Sequence, residues 1–540
     1  MMLVASAVLL LARLGHYPLW DDEAITALAA EGVLRTGDTS AVVDHNVVAY
    51  GGGILLSGLH DRSTPPLPAY VVAASMALLG HTALAARLPF ALLGLACVAL
   101  ILRWLWRDRA TRVTNALVAA ALLGNVSFFL YFRNARYYGV AIFCSVAIVY
   151  LYLHWTGRRR TLAGMAALSL LLLASNYLNF VALYACLGLD YLVWRRQQRD
   201  ERGPARRLTV SDWLILLGPQ VVVGLVVVSI WNPLATPNSG PFWANGLGGK
   251  AVVFWRSLRD LSANEYGPVP LLLLAPLLWF RFRDPWLLRA PAALLAYLLV
   301  MALLAPTPIA RSRYADVRYL APLIPLCIAI TVRILAHAWT VSRPAAVVLA
   351  GLALFTNVLH LGVFRAEGLR VTLVQYAREL LSPPPDPYSA AIAWVRRQVR
   401  DGQTIAVLPN HMTYPLMFHA PGPTYAWQFP PDRRADEQFA RLPAVQFRYE
   451  GTPDYILVFG PTVTQVLGGG ILQARRGARY EPFDRLERYW QDRYRPELMF
   501  RSFTGVTNYD PRTQDIYVLK AVPAATSPDN SSTAPALAPR

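Results

Sequence analysis

Three carboxylates stand together in Trp20–Ala24 (WDDEA), directly after an apolar N-terminal run. One of Asp21 or Asp22 can cap the helix that Ile25, Leu28, Ala29 and Val33 mark out as far as Gly37, while Glu23 favours its positive N-terminal end. A cap needs only one carboxylate. Three at a lipid–water boundary also suit a general base, tuned by partial burial and by neighbouring like charge. The opposite charge recurs downstream, as Arg133 and Arg136 in YFRNARYYG (Tyr131–Gly139) and as Arg311, Arg313 and Arg318 in ARSRYADVRYLAP (Ala310–Pro322). Snorkelling, or pairing with Asp316, within a belt of Phe128, Phe129, Tyr137 and Tyr138 would account for these arginines as well. Arginine nevertheless presents a planar fork that grips phosphate bidentately, and at membrane depth such a phosphate would be lipid-linked. Base and cations together fit a displacement in which the carboxylate takes the acceptor's proton and the arginines offset charge growing on a leaving phosphate.

Other groups are less informative. STPPLPAY (Ser63–Tyr70) is ordinary helix-start punctuation whose interest is its place beside the acidic motif. The nine histidines show no HExxH or paired metal spacing, and Gly51–Gly53 and Gly468–Gly470 match no P-loop. The two amides of Asn176–Phe180 (NYLNF) read as helix-end caps. Cys97, Cys144, Cys186 and Cys327 all lie in apolar runs, which argues against a disulfide scaffold or a thiolate metal site.

The elements that must position these residues are membrane helices. Of 540 residues, 55% are hydrophobic and only 16% charged, well below the roughly 25% of soluble domains. The net charge of +18 is carried by arginines clustered between apolar runs, a membrane-topology pattern and not a nucleic-acid-binding face. Spans of about 20 apolar residues are expected at Met2–Leu14, Arg87–Trp106, Val113–Leu130, Tyr138–Trp155, Thr161–Ala174, Tyr177–Trp194, Trp213–Trp231, Pro268–Phe280, Trp286–Ala305, Leu320–Ala338 and Ala345–Leu361. The first is short, lacks a cleavage site and reads as an anchor. Arginines at 103–112, 158–160, 195–207, 281–283 and 333–343 alternate with arginine-poor loops, which places the acidic motif and the chain after Leu361 on the extracytoplasmic face. Pro66–Gly80 breaks this alternation if it spans, so it is expected to lie in the interface or re-enter.

The expected organisation is a transmembrane domain at 1–362, with its first outer loop at 15–64 and the interfacial helix at 66–80. A proline-rich linker at 363–387 follows, then an α/β domain at 388–520 and a disordered tail at 521–540. In the α/β part Ala390–Val399 is an amphipathic helix, and Ile405–Leu408, Tyr455–Phe459, Leu498–Phe503 and Ile516–Leu519 are strands.

The acidic pair after the first span, the PPL-x-x-Y start of the next helix, G-x-x-x-x-x-x-R-L-P (Gly80–Pro89), R-x-Y at Arg136 and RYLAPLIP (Arg318–Pro325) occur in the same order as in a known group. The chain resembles the integral-membrane glycosyltransferases of the GT-C superfamily, in particular the protein O-mannosyltransferase and aminoarabinose-transferase (ArnT-like) group, glycosyltransferase family 39 in the broad sense. The likeness covers roughly Leu14–Pro325. It implies a polytopic α-helical fold of about eleven spans with interfacial helices in the first outer loop and a C-terminal α/β domain. The implied activity is inverting transfer of a sugar from a polyprenyl phosphate to a lipid, glycan or protein acceptor. The family's Asp-Glu pair falls on Asp22 and Glu23, with Asp22 as base, Glu23 orienting it or binding acceptor, and Asp21 as an alternative base. Where some members carry a basic residue next to the Pro-Pro pair, this chain has Thr64, with His60 and Arg62 further back. Donor phosphate is therefore expected on Arg62, Arg133, Arg136, Arg313 and Arg318, and the substrate cavity at His60, Tyr70, Tyr137 and Tyr319. No cofactor is expected, although the carboxylates could hold a divalent ion. A transporter or flippase of a lipid-linked glycan would place ionisable residues mid-span, whereas the acids here cluster on one face; a membrane sensor would not require the acid–arginine constellation.

Overall fold

An apolar segment in lipid has no water for its backbone, so each long run closes its hydrogen bonds internally as a helix. The computed structural model describes residues 1–194, 199–200, 203–204, 208–231, 246–305, 317–360, 369, 371–383, 386–459, 478–486 and 516–523. Helix α1 (Met2–Leu11) leads into α2 (Asp21–Thr36), and two small hairpins separate α2 from α3 (Leu67–Leu79) and α4 (Ala83–Arg107). The bundle continues through α5 (Arg112–Gly124), α6 (Val126–Phe132), α7 (Tyr137–Leu153), α8 (Arg159–Ser175), α9 (Tyr177–Val193) and α10 (Val210–Ile230). It closes with α11 (Gly246–Ala263), α12 (Val269–Phe282), α13 (Trp286–Leu304), a 3-10 segment at Val317–Leu323, α14 (Ile324–Val341) and α15 (Arg343–Phe355).

Among the described residues four helical stretches are long and apolar enough to cross a membrane: α4, α10, α13 and Val317–Val341. Each of the other expected spans holds a shorter helix. Val113–Leu130 is not one rod: α5 and α6 bend by 62° about Asn125. The Asn125 side chain accepts from the Phe128 amide and donates to the carbonyls of Glu265 and Tyr266, so the break meets its own hydrogen-bonding needs. Pro66–Gly80, expected in the interface, forms α3, which packs along both α2 and α4.

The C-terminal part does not hang from a free tether. Within the segment read as a linker, α16 (Thr372–Leu381) buries Tyr376 completely, and its hydroxyl donates to the Leu9 carbonyl of α1 at 2.8 Å. Beyond it come α17 (Pro387–Gln398), β1 (Thr404–Leu408), α18 (Thr413–His419), β2 (Thr424–Tyr425), β3 (Tyr455–Phe459), β4 (Ala478–Leu486) and β5 (Ile516–Pro523). The sheet order is β4-β5-β3-β1-β2, with β1 parallel to β2 and β3 and the other pairs antiparallel. Every residue of β3 (YILVF) is buried, as expected of a strand covered on both faces. Of the tail expected at 521–540, residues 521–523 belong to β5 and pair with β4, while the rest, like the expected strand Leu498–Phe503, lies outside the described residues.

This part docks on the first loop. Asn46 accepts from the Tyr425 amide at 2.7 Å and donates to the Pro423 carbonyl at 3.0 Å, and the Leu19 amide donates to His419 at 2.9 Å. Gly51, Gly52 and Gly53 turn with φ of 58°, 75° and 78°, a left-handed run that side chains resist. A Cβ on Gly52 would lie 2.7 Å from the Pro430 ring. One continuous apolar core therefore runs from the bundle into the sheet.

Candidate active site

The acidic motif opens α2, where the three carboxylates meet backbone N–H groups that have no carbonyl partner within the helix, and the helix's positive end. Glu23 folds back to the Trp20 amide at 3.4 Å, so it is this third acid that closes the helix start, while Asp21 accepts from the Asp22 amide at 2.7 Å.

Glu23 is fully buried. Its carboxylate receives Nε and Nη2 of Arg87 at 2.9 and 2.5 Å and the Ala135 amide at 2.8 Å. Arg87, from the R-L-P motif on α4, also donates to the carbonyls of Leu14, Tyr17 and Pro18. The pair thus fastens the exit of α1, the start of α2, α4 and the α6–α7 loop to one another. Both oxygens of Glu23 are engaged within the protein.

The neighbouring Asp22 points the other way. Its Oδ2 accepts from Nη1 of Arg318 at 2.5 Å, and its Oδ1 lies 3.5 Å from Nη2 of Arg136. The hydroxyl of Tyr138 completes the set. Arg136 also donates to Thr26 at 3.1 Å and lies 5.9 Å from the Tyr137 ring centroid, and Tyr137 stacks on Tyr319 at 5.9 Å. Arg136 begins α7 and Arg318 sits on the 3-10 segment before α14, so elements from three parts of the chain converge on α2.

Adjacent aspartates are driven apart electrostatically. Burial pushes Asp22 up, but Arg136, Arg318, His411 and the Tyr138 hydroxyl outweigh it and hold the carboxyl below its ordinary value. Asp21, half-buried and desolvated beside that charge, rises from 3.8 to about 8. At neutral pH the pair is one carboxylate and one carboxylic acid, the pattern that separates a base from its neighbour. The folded chain keeps a proton on Asp21 that the unfolded chain has released, so stability declines as pH rises from about 4 to about 8. The substitution Asp21→Asn is expected to flatten that decline and to exceed wild type in melting temperature above about pH 8. Thermal unfolding at a series of pH values checks it, and identical slopes would mean that Asp21 is ionised throughout.

The remaining expected site residues fall elsewhere. Arg133 turns to the last carbonyls of α1, donating to Leu9 and Leu10 at 3.1 and 2.9 Å, and does not reach Asp22. Arg62 is held bidentately by Asp38 at 2.7 and 2.5 Å over the Trp231 ring, with His60 3.8 Å from the same carboxylate. Tyr70 donates to the Gly37 carbonyl at 2.9 Å. Arg311 and Arg313 lie outside the described residues. Sequence reading missed Arg87 as the partner of Glu23, Tyr138 on Asp22, and Tyr50 and His411 within electrostatic reach of Asp22. Only Arg87 left a trace there, as one letter of a motif.

Among the described residues no group of three or more His, Cys, Asp or Glu side chains is arranged to hold a metal ion. The oxygens of Asp22 face guanidinium groups, a surrounding suited to an anion rather than to a metal cation.

No protein-family model matches the chain, and no curated protein matches it. Among solved structures it is similar to ArnT from Cupriavidus metallidurans in the apo state, at 14% identity over 95% of this chain and 96% of that one, TM-score 0.49. It is similar also to the same protein bound to undecaprenyl phosphate, at 13% identity over 96% and 97%, TM-score 0.47. A third likeness is to an Archaeoglobus fulgidus oligosaccharyltransferase, at 11% identity over 88% of this chain and 69% of that one, TM-score 0.45. With every TM-score below 0.5, these likenesses assign no residue a role.

Proposed function

We propose that the chain is an integral-membrane glycosyltransferase of the GT-C type, which moves a sugar from a polyprenyl phosphate to an acceptor hydroxyl with inversion. The observation that carries this reading is the Asp22 carboxylate held between Arg136 and Arg318. A proton acceptor and two fixed cations sit within one side chain's reach, as direct displacement at an anomeric carbon requires. The acceptor oxygen bonds to the anomeric carbon, the bond from that carbon to the phosphate oxygen breaks, and the phosphate leaves with the electron pair. Asp22 takes the acceptor's proton. The phosphate draws the guanidinium groups towards itself, which loosens their hold on Asp22 and raises its basicity as the donor settles. The order of motifs along the chain supports the same reading.

The four long apolar helices, the shorter apolar ones and the alternation of arginine clusters support a reading of about eleven crossings with the acidic motif and the C-terminal part extracytoplasmic. The arginines supply the charge that a metal would otherwise bring, so the reaction is read as independent of any cofactor. In proteoliposomes given a radiolabelled polyprenyl-phosphate sugar and envelope extract as acceptor, wild type is expected to transfer label with no loss on treatment with a chelator. Arg318→Gln is expected to lower kcat/KM by about 10²- to 10³-fold, the worth of one fixed charge on a developing anion. No label transferred by wild type, or an undiminished Arg318→Gln, would overturn the reading.

A further inference from the structure

Arg318 has a root as well as a tip. Its guanidinium meets Asp22, and its backbone follows a peptide carbonyl, that of Val317, which accepts from the hydroxyl of Tyr266 at 3.1 Å. The hydroxyl of Tyr266 also bonds to that of Tyr131 on α6, the two rings standing edge to face with centroids 5.8 Å apart. Tyr131 is fully buried and Tyr266 is 1% exposed. A carbonyl oxygen can only accept, so the Tyr266 proton is committed to Val317, and Tyr131 supplies the proton between the two hydroxyls. The direction of the chain is therefore Tyr131 to Tyr266 to Val317.

Tyr266 is itself held in place. It lies between α11 and α12, in a turn where Glu265 adopts a φ of 59°. Asn125 donates to the carbonyls of Glu265 and Tyr266, both at 3.1 Å, and Ser127 donates to that of Asn264 at 2.9 Å. Asn125, Ser127 and Tyr131 all belong to the 62° bend or to the short helix that follows it. On the next residue, a Cβ added to Gly267 would stand 2.6 Å from Cβ of Cys327 on α14, so the turn also lies hard against that helix. The Tyr131 ring further stands edge to face with Tyr138 at 5.1 Å, and the Tyr138 hydroxyl reaches Asp22. The tyrosine pair thus touches the setting of Asp22 from two sides.

From these contacts we infer that Tyr266 is a positioning residue for Arg318. Peptide planarity makes the Val317 carbonyl and the Arg318 nitrogen one rigid unit, so the bond from Tyr266 sets the direction in which the arginine side chain leaves the backbone. The root of that side chain is pinned while its tip passes from Asp22 to the leaving phosphate. The effect on rate rests on the transferase reading; the pinning does not.

The test compares wild type, Tyr266→Phe, Arg318→Gln and the double variant, each as the full chain. In proteoliposomes Tyr266→Phe is expected to lower kcat/KM about 10- to 100-fold, the range for a catalytic group displaced by about 1 Å. Added to Arg318→Gln, the same substitution should cost no more than about threefold, because the group it aims is already gone. A purely structural tyrosine would multiply the two losses, and that result in an active enzyme would overturn the inference. A second cycle needs no sugar transfer: unfolding in mixed micelles titrated with dodecyl sulfate. Tyr266→Phe strands the Val317 carbonyl and the Tyr131 hydroxyl and should shift the unfolding equilibrium about 5- to 100-fold. In the Arg318→Gln background the shift should shrink at least about threefold, since both changes loosen one network. Equal shifts in the two backgrounds would overturn the inference. Should Tyr266→Phe fail to fold, Tyr131→Phe carries both cycles: it keeps the bond to Val317 but removes the donor that steadies the Tyr266 oxygen, for a loss of about two- to tenfold. Coupled unfolding in a wild type that transfers no sugar would leave the pinning standing and overturn the transferase reading alone.

Discussion

Asp22→Asn lowers sugar transfer by about 10²- to 10⁴-fold, the contribution of a positioned general base, and leaves the chain folded. The amide is isosteric, and its oxygen still accepts from Arg318 where the carboxylate did at 2.5 Å. What disappears is the negative charge and the capacity to receive a proton. Donor binding should survive or tighten, since Arg136 and Arg318 lose their internal competitor for phosphate. The measurement is initial-rate transfer in proteoliposomes at saturating donor, with melting temperature as control. Rates like those of wild type would move the proton acceptor elsewhere, with Asp21 the adjacent candidate.

A different loss follows from Glu23→Gln. Breaking one side of a buried ion pair typically costs about 3–5 kcal/mol, because the other charge stays behind unmatched. Here the abandoned partner is Arg87, whose remaining contacts are backbone carbonyls. We predict a marked fall in melting temperature and in folded yield, with transfer falling in proportion to folded protein. The double substitution Glu23→Gln with Arg87→Met should recover part of the lost stability, since no lone charge remains. If Glu23→Gln melts with wild type yet transfers no sugar, Glu23 touches substrate, and its role as a fastening is wrong.

Much of this arrangement could be read from residue types. The alternation of arginine clusters put Asp22, Arg136 and Arg318 at one end of the bundle before any geometry was known, and apolar length located the helices. Side-chain direction was not legible. Arg133 and Arg136 stand three residues apart in one motif, but Arg133 closes α6 and turns to the end of α1, whereas Arg136 opens α7 and turns to Asp22. A one-residue ambiguity likewise hid Tyr138 behind Tyr137. The break at Asn125 was invisible because a lone amide in an apolar run is compatible with a straight span; its partners, the carbonyls of Glu265 and Tyr266, are remote in sequence. His411 escaped for a related reason. Periodicity marked the C-terminal part as a separate unit, and nothing local in either segment says that Asn46 and Tyr425 join the two.

The fastening of Glu23 also sets an order of events during biogenesis. The acidic motif leaves the ribosome before Arg87, and well before Ala135, Arg136 and Arg318. A nascent chain halted in the translocon after α3 would carry its proton acceptor with neither the clasp that orients it nor the cations that receive cargo. On the reading proposed above, an unfinished polypeptide that ends before the 3-10 segment lacks Arg318 and cannot complete the arrangement around Asp22.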